Sequence, residues 1–447
     1  MKFINTDLTR RLDALPWTGF HTRFVLALGI TWVLDAFEVV IVGAVLKPMT
    51  ETLQFTTQQA SLVMSGFLIG AVLGSLIFGY LADKFGRKKL FILTLLLYAG
   101  GTFLTGFANS FESALFFRIL AGAGLGGEFA AIQSAIDEFV PARHRGKVDG
   151  TITALWNLGS IMASLSALYL LKHFDESFAW RIAFFIGGLL TLLIIYIRIY
   201  VPESPRWFIS KGRLKEAEEV VKKVEREAGI SPKVESCQIP IFEGSIWDAT
   251  ELILTKYRWR FLFSASMSFT ILTTYYGMLA FLPLGLSKVY NLSSKQVSEV
   301  LFFGSVGGLI GGLVVAFLND RVGRKVLGVG ISGLSALAVF LFLLTDANPK
   351  VLYFLYSLIA FSFASVAYVI ATEIYPSYIR AYAIGVLSVV GRLSGALAPL
   401  LVTTLASIDY RLGLLCVFLF WLVGFFAFVI YAIKGKETKG MPIEQIS

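Results

Sequence analysis

LADKFGRKKL, residues 81–90, is a charged stretch that separates two long apolar segments, and a similar stretch occurs later in the chain. This repetition is the strongest indication of the fold. LNDRVGRKVL, residues 318–327, stands 237 positions further on (81 to 318) and again separates two apolar segments. The acid, the glycine and the two basic residues after it keep the same spacing in both copies. This repeat predicts that the second half of the chain duplicates the first.

Two further pairs of segments support the duplication. EFVPARHRG (138–146) matches EIYPSYIRA (373–381) after 235 positions, and VPES (201–204) matches GKET (435–438) after 234 positions. All three matches come in the same order, at nearly constant offset, and each stands at the end of an apolar segment. Together they predict two structurally equivalent halves.

Composition predicts that these halves lie in a membrane. Of the 447 residues, 56% are hydrophobic and only 15% are charged, whereas ordinary soluble domains carry about 25% charge. About twelve apolar segments follow one another, and most reach the ~20 residues that a helix needs to cross a bilayer. They are, roughly, 24–46, 59–81, 90–107, 112–137, 148–171, 179–200, 259–287, 297–318, 326–344, 351–372, 383–407 and 410–433.

The predicted fold is therefore an all-α membrane protein, with twelve transmembrane helices in two pseudo-symmetric six-helix bundles. We expect the N-terminal bundle in residues 1–200 and the C-terminal bundle in residues 258–447. The interval 201–257 is expected to be a cytoplasmic linker, in which KGRLKEAEEVVKKVEREAG (211–229) forms an amphipathic helix with favourable acid–base pairs four residues apart.

The net charge of +9 follows a membrane pattern and does not indicate nucleic acid. About 29 Lys and Arg residues lie on the side that holds the N-terminus and about seven on the other, so the positive-inside rule puts both termini in the cytoplasm. Residues 1–23 are polar and the first apolar segment is too long for a signal peptide. We expect a multi-pass protein of the plasma membrane.

The motifs resemble those of the major facilitator superfamily over essentially the whole chain. GYLADKFGRKK (79–89) resembles that superfamily's signature between helices 2 and 3. RILAGAGLGGE (118–128), PESPRW (202–207) and KETKG (436–440) resemble the sugar-porter branch, which also includes metabolite:proton symporters. The resemblance implies a monomeric alternating-access transporter of a small organic solute, with no cofactor and no metal.

Charged side chains inside apolar segments predict the machinery for proton coupling. A charge at mid-bilayer costs roughly 2.5–3.5 kcal/mol on insertion scales, so it is a functional hypothesis by default. WVLDAFEVVIVGAVL (32–46) holds Asp35 and Glu38 on one helix face, and the fourth segment holds Arg118 and Glu128. By the sugar-porter resemblance Glu38 is the acid that pairs with Arg118, and Asp35–Glu38 also resembles the D-G-x-D motif of aromatic-acid:proton symporters. The alternative is a static ion pair that orders the first and fourth helices.

The resemblance also suggests which residues line the substrate cavity. The candidates are aromatic or polar side chains on the helices that usually line it, namely Trp156, Asn157, Tyr275, Tyr276, Phe302 and Tyr368. Helix 7, SFTILTTYYGMLAFLP (268–283), has no Asn or Gln, which counts against a sugar. Arg392 supplies a fixed cation, and the repeat places it in helix 11 where Asn157 stands in helix 5. Together these features favour an organic anion, such as an aromatic or heterocyclic carboxylate.

The charges at the cytoplasmic helix ends are expected to form a latch that holds the cavity shut and breaks when it opens. Gly86 and Gly323 allow the tight turns between helices. The alternative is a set of solvated loops whose charge only sets topology. The expected latch residues are Asp83, Arg87, Glu138, Arg145, Glu203, Asp320, Arg324, Glu373 and Arg380.

A sugar or polyol transporter, either a proton symporter or a facilitator, is the nearest alternative. A non-transporting nutrient sensor is disfavoured by the short tails. An enzyme or an ATP-driven pump is disfavoured because we find no nucleophile–base pair, no metal-ligand cluster and no G-x-x-x-x-G-K-[ST] loop in the sequence.

Overall fold

The computed structural model describes residues 2–85, 87–198, 203–210, 212–241, 246–345, 348–375 and 377–435, with only the backbone described in parts of several helices. The N-terminal bundle consists of α2 (Gly19–Thr52), α3 (Thr57–Phe85), α4 (Arg87–Thr105), α5 (Phe111–Phe139), α6 (Ala142–His173) and α7 (Glu176–Arg198). The C-terminal bundle consists of α11 (Arg258–Phe281), α13 (Ser294–Val322), α14 (Arg324–Leu344), α15 (Pro349–Glu373), α16 (Ser377–Ile408) and α17 (Tyr410–Lys434).

Short elements lie before, between and within the bundles. The N-terminus forms β1 (Lys2–Thr6) and α1 (Leu8–Ala14), and the linker forms α8 (Pro205–Ser210), α9 (Leu214–Ala228), β2 (Cys237–Ile241) and α10 (Ile246–Thr255). In the C-terminal bundle, α11 continues through a π-helical turn, Leu282–Leu286, into α12 (Ser287–Val289).

The long helices run back and forth between two faces of the molecule. We call the face that holds the linker and the start of α2 the linker face, and the opposite one the far face. Within the described ranges, nine helices are long and apolar enough to cross a membrane. Each of the twelve apolar segments of the sequence falls on one of the twelve long helices, six in each bundle.

Local sequence signals set several helix ends. At the start of α13 the Ser293 hydroxyl accepts a hydrogen bond from the Gln296 amide, and the Gln296 side chain accepts one from the Ser293 amide at 2.8 Å, which is a capping box. Between α13 and α14, Gly323 has a φ of 98°, a conformation that side chains with a Cβ rarely adopt. The tight turn expected there is present, whereas Gly86 lies outside the described residues.

Glycines let neighbouring helices touch backbone to backbone at equivalent places in the two halves. A Cβ atom on Gly74 of α3 would collide with the Ala123 carbonyl oxygen of α5, and one on Gly311 of α13 would collide with the Leu358 carbonyl oxygen of α15. The offsets are again 237 (74 to 311) and 235 (123 to 358). The contact of Gly70 with Ile119 is repeated in the same way by that of Gly307 with Phe354.

The two bundles meet along two seams, α3 against α16 and α6 against α13. Under the repeat offsets α3 corresponds to α13 and α6 to α16, so the seams are equivalent to each other. This arrangement leaves the centre of the interface flanked by the same helices from each half, as expected of a duplicated chain.

The N-terminus and the linker fold together on the linker face. Strand β1 pairs with β2 in antiparallel register, with Thr6 opposite Cys237. Arg11 of α1 makes two hydrogen bonds to the Glu225 carboxylate of α9, at 2.6 and 2.7 Å. These hydrogen bonds raise the pKa of the Arg11 guanidinium. A small core lies between α1 and α9, with buried side chains Leu8, Leu12, Val221 and Val224. The sequence did not reveal this substructure, since its strands are more than 230 residues apart (6 to 237).

Candidate functional site

A buried ion pair lies inside the N-terminal bundle. Arg118 of α5 donates from Nη1 to Glu38 Oε1 of α2 at 2.7 Å, and the Thr102 hydroxyl of α4 donates to the same oxygen at 2.6 Å. The Glu38 and Arg118 side chains are 0% and 2% exposed. The structure therefore brings together the acid and the arginine that the sequence singled out, and it adds Thr102.

Apolar rings hold the arginine in place. The Arg118 guanidinium lies 4.3 Å from the ring centre of Phe67 and 5.8 Å from that of Phe184. Glu38 Oε2 has no hydrogen-bond partner among the described residues, and neither has Arg118 Nε. One carboxylate oxygen thus accepts from two donors, while the other has no partner among the described residues.

Asp35 and Glu128 are the other two residues predicted for coupling. Asp35 is 3% exposed and lies about one turn before Glu38 on α2. Glu128 lies on α5, but its side chain is outside the described part of the structure.

An aromatic cluster crosses the interface between the two bundles. Trp156 of α6 donates from Nε1 to the Tyr275 hydroxyl of α11 at 3.2 Å. The Trp156 ring contacts that of Trp32 with centroids 5.6 Å apart, and the Tyr275 ring contacts that of Phe361 with centroids 5.7 Å apart. Four rings, two from each bundle, thus form a chain of contacts across the interface. We call Trp32, Trp156, Tyr275 and Phe361 the aromatic cluster.

Asn157 lies next to this cluster and is buried, with 2% exposure. Its Oδ1 atom has no hydrogen-bond partner in the described part of the chain. The amide faces Gly308 of α13, where an added Cβ would collide with Oδ1 and would lie 2.6 Å from the Phe361 ring. A buried acceptor without a partner costs free energy, which makes it a candidate for contact with a ligand.

Arg392 of α16 reaches across the other seam, from the C-terminal bundle into the N-terminal bundle. Its Nη1 atom donates to the carbonyl oxygens of Ala71 and Gly126 in the N-terminal bundle, both at 3.4 Å, and the residue is 8% exposed. Ala71 corresponds to Gly308 by the offset of 237, and Gly126 corresponds to Phe361 by the offset of 235. Asn157 and Arg392 therefore approach equivalent residues of the opposite half, Gly308 and Ala71.

The remaining predicted substrate residues are less closely connected to the cluster. The Tyr276 ring contacts that of Tyr275 with centroids 5.1 Å apart. Phe302 makes its ring contact with Phe303 at 5.6 Å. Tyr368 lies on α15, but its side chain is not among those described.

Contacts between the halves close the far face. The Lys47 ammonium donates to the Leu292 carbonyl oxygen at 2.6 Å, and the hydroxyls of Ser61 and Thr403 are hydrogen bonded at 2.6 Å. Gly43 packs against Leu279 at the same end of the interface. These contacts cover the aromatic cluster on its far-face side.

The predicted latch lies mostly where side chains are not described. Glu203 accepts a hydrogen bond from the Ser204 amide at 3.3 Å, and Arg324 begins α14 with a half-buried side chain. The other seven latch residues have side chains outside the described part, namely Asp83, Arg87, Glu138, Arg145, Asp320, Glu373 and Arg380.

Sequence reasoning missed Thr102, Trp32 and Phe361. Thr102 is a polar residue inside an apolar helix, and Trp32 lies three residues before Asp35 on the same helix, so both had a weak signal. Phe361 is one of 39 phenylalanines and had none.

Two six-helix bundles related by internal duplication, with a polar and aromatic centre between them, define a membrane transporter of the major facilitator superfamily. The chain belongs to the sugar (and other) transporter family, whose model matches residues 29–447. It is 32% identical to the niacin transporter NiaP of Acinetobacter baylyi, over 98% of this chain and 99% of that protein. It is 28% identical to the putative niacin/nicotinamide transporter NiaP of Bacillus subtilis, over 93% of this chain and 96% of that protein.

A solved structure has the same fold. A partially occluded, inward-open xylose transporter XylE from Escherichia coli superimposes with a TM-score of 0.72 and 18% identity, over 94% of this chain and 99% of that one. The predicted superfamily and the predicted twelve-helix fold are confirmed, and the protein is a transporter and not an enzyme.

Proposed function

We propose that this protein is a proton-coupled symporter that takes up a small heteroaromatic carboxylate, of the nicotinate type, by alternating access. The observation that carries the proposal is the aromatic cluster between the two bundles, with the buried Asn157 side chain beside it. Two relatives named as niacin transporters support the choice of a pyridine ring with a carboxyl group.

The chemistry of the aromatic cluster suits such a ligand. Flat rings prefer to meet other aromatic rings in offset or edge-to-face arrangements, and the cluster offers rings from both bundles. Trp156, Tyr275 and Asn157 supply hydrogen-bonding groups at the same place. The Tyr275 hydroxyl accepts from Trp156 and can donate its own proton to a ring nitrogen of a heterocycle, which a benzene ring lacks.

Arg392 supplies the positive charge for the carboxylate. Two of its acceptors are neutral carbonyl oxygens at 3.4 Å, which are weaker partners for a guanidinium than an anion is. A bound carboxylate would compete with Ala71 and Gly126 for this side chain. Substrate binding would then loosen one seam between the halves, which is what alternating access requires.

Glu38 and Arg118 form the proton-coupling pair, with Asp35 and Glu128 as further members of the relay. Protonation of Glu38 removes the charge that Arg118 neutralises, so the pair weakens and α2 is free to move against α5. The static ion pair remains the alternative. Uphill uptake by Glu38→Gln distinguishes a coupling role from a static one.

The protein is oriented with its linker face in the cytoplasm of the plasma membrane, as a monomer with both termini inside. The excess of Lys and Arg on that face supports the orientation. Residues 1–200, 201–257 and 258–447 form the N-terminal bundle, the linker and the C-terminal bundle. The nine latch residues hold the linker face closed in the alternate state, when the far-face contacts are broken.

A binding screen tests the proposed substrate. Thermal unfolding of the purified protein is measured with nicotinate, nicotinamide, benzoate and xylose, since a ligand that binds the folded state raises its apparent stability. Nicotinate is expected to raise the melting temperature most, nicotinamide less because it has no charge for Arg392, and xylose not at all. A rise with xylose alone would instead support the sugar or polyol transporter. A ligand that stabilises the protein but is never transported would support the sensor.

A further inference from the structure

Two cations flank an exposed tryptophan at the linker-face end of the C-terminal bundle. Lys434, at the end of α17, has its ammonium 4.9 Å from the ring centre of Trp259, and the Arg258 guanidinium lies 5.8 Å from the same centre. The Trp259 side chain, near the start of α11, is 59% exposed. We call Arg258, Trp259 and Lys434 the Trp259 site.

The cations of this site have no internal role that the structure reveals. In the part of the chain that is described, neither Arg258 nor Lys434 makes an ion pair with a carboxylate. The end of α17 is instead closed by Lys325, which donates to the Gly435 carbonyl oxygen at 2.6 Å. The start of α11 is held by Arg260, which donates to the Ile374 carbonyl oxygen at 2.6 Å. The positive charges of Arg258 and Lys434 therefore lie at the surface of the C-terminal bundle, beside the Trp259 ring.

An exposed apolar strip continues from the Trp259 site along both helices. Leu262 of α11 and Ile430 and Phe426 of α17 are about half exposed, and Ile433 is 76% exposed. At ~1.5 Å per residue, Phe426 lies roughly 12 Å along α17 from Lys434. Charge at the helix ends and apolar side chains beneath them match the headgroup and the acyl chain of a lipid.

The neighbouring helix has the same character. Trp247 and Leu254 of α10 are 82% and 50% exposed, while Ala249 and Ile253 of that helix are buried. Tryptophans are enriched where membrane meets water. Helix α10 therefore lies at the same interfacial level as the Trp259 site, to which it leads directly along the chain.

We propose that the Trp259 site binds one anionic glycerophospholipid of the leaflet at the linker face. The phosphate lies between Arg258 and Lys434, the glycerol lies against Trp259, and an acyl chain follows Leu262 and Ile430. Two cations that make no ion pair with a carboxylate of the described residues favour an anionic headgroup over a zwitterionic one, whose ammonium would be repelled. This site is separate from the transport path and does not depend on the proposed substrate.

Thermal unfolding in lipid nanodiscs tests the proposal. Nanodiscs of phosphatidylcholine are compared with nanodiscs that also contain phosphatidylglycerol. The anionic lipid is expected to raise the melting temperature of the full-length protein, and Arg258→Gln/Lys434→Gln is expected to lose most of that rise. The matched control is Arg411→Gln on the far face, where the Arg411 guanidinium lies 5.7 Å from the Tyr410 ring centre. This control is expected to keep the rise.

Two further arms separate a lipid from a soluble phosphate and from a folding defect. Glycerol 3-phosphate added to phosphatidylcholine nanodiscs is expected to have no effect, and an effect equal to that of the lipid would overturn the lipid assignment. Brominated phosphatidylglycerol is expected to quench tryptophan fluorescence of the wild type more than brominated phosphatidylcholine does, and Trp259→Phe is expected to abolish the difference. Equal quenching by both lipids, or an undiminished rise in the double variant, would overturn the proposal.

Discussion

At the scale of single residues, the proposed proton coupling depends on the carboxyl group of Glu38. Glu38→Gln keeps the size of the group but cannot take up or release a proton. We expect the variant to lose accumulation of substrate driven by a pH gradient, while exchange of labelled for unlabelled substrate continues. Uptake and counterflow in proteoliposomes measure the two activities separately.

Thr102 provides the matched control for Glu38. Thr102→Val removes the 2.6 Å hydrogen bond to Glu38 Oε1 but leaves the carboxyl group and its arginine. Because one hydrogen bond to a charged group contributes roughly 1.5–3 kcal/mol and the carboxyl group itself is kept, we expect slower gradient-driven uptake and not its loss. Uphill uptake by Glu38→Gln at the wild-type level would leave the static ion pair as the role of Glu38.

Arg392 tests the charge of the substrate. A lysine keeps the charge but loses the planar donor fork, so Arg392→Lys is expected to weaken binding of nicotinate about tenfold, and Arg392→Ala to abolish most of it. Hydrogen bonds to charged groups contribute roughly 1.5–3 kcal/mol, which is the basis of that figure. Isothermal titration measures both affinities. Wild-type affinity in Arg392→Ala would remove the organic-anion proposal.

The residues of the site could be predicted from the sequence to different degrees. Glu38 and Arg118 stand out because a charge in an apolar segment is costly. The equivalence of Asn157 and Arg392 follows from the repeat. What they touch does not, because the contacts with Gly308 and Ala71 arise only when the two halves pack. Phe361 could not be chosen from so many phenylalanines without knowing which helix faces α11.

At the scale of the helices, adjacent glycines of α13 test the close packing of that helix on α15. A Cβ on Gly311 would collide with the Leu358 carbonyl oxygen, whereas one on Gly312 would meet nothing within 4 Å. We expect Gly311→Ala to destabilise the protein by about 1–3 kcal/mol and Gly312→Ala to change its stability by less than about 1 kcal/mol. Thermal unfolding in detergent compares the two, and equal effects would contradict the packing.

The N-terminal helix α1 offers a second comparison. The Arg11 and Glu225 side chains are 11% and 5% exposed, whereas those of the Arg23–Glu227 pair are 73% and 34% exposed. Breaking a buried pair typically costs about 3–5 kcal/mol, and an exposed pair contributes less than about 1 kcal/mol. Arg11→Gln is therefore expected to speed hydrogen exchange in residues 8–14 strongly, and Arg23→Gln only slightly. The opposite order would show that α1 is held by other contacts.

The sequence predicts the long helices well and the small elements poorly. Apolar runs of the length of a bilayer can only be helices, and the glycine of RVGRK marks the turn at Gly323. Strands β1 and β2 are invisible locally because each is short and its partner is distant in the chain. The π-helical turn at Leu282–Leu286 is equally hidden, since its sequence, LPLGL, is apolar like the helix before it.

At the scale of the whole molecule, the far-face contacts and the two equivalent seams describe one state of a transport cycle. Lys47, Ser61 and Gly43 join the halves on one side of the aromatic cluster. For the substrate to pass, these contacts must break while contacts on the linker face form. In an alternating-access cycle the halves would move against each other along the two seams, the α3–α16 seam that Arg392 and the Ser61–Thr403 hydrogen bond cross and the α6–α13 seam where Asn157 faces Gly308.

Transport into proteoliposomes is the direct test of proton-coupled uptake. Uptake of labelled nicotinate is followed with an acidic exterior and an alkaline lumen, with protein-free liposomes and liposomes of Glu38→Gln as controls for passive entry of the acid. We expect wild-type protein to accumulate nicotinate above both controls, and a protonophore to abolish the accumulation. No uptake above the controls, or the same uptake with and without the gradient, would contradict proton-coupled transport of a heteroaromatic acid.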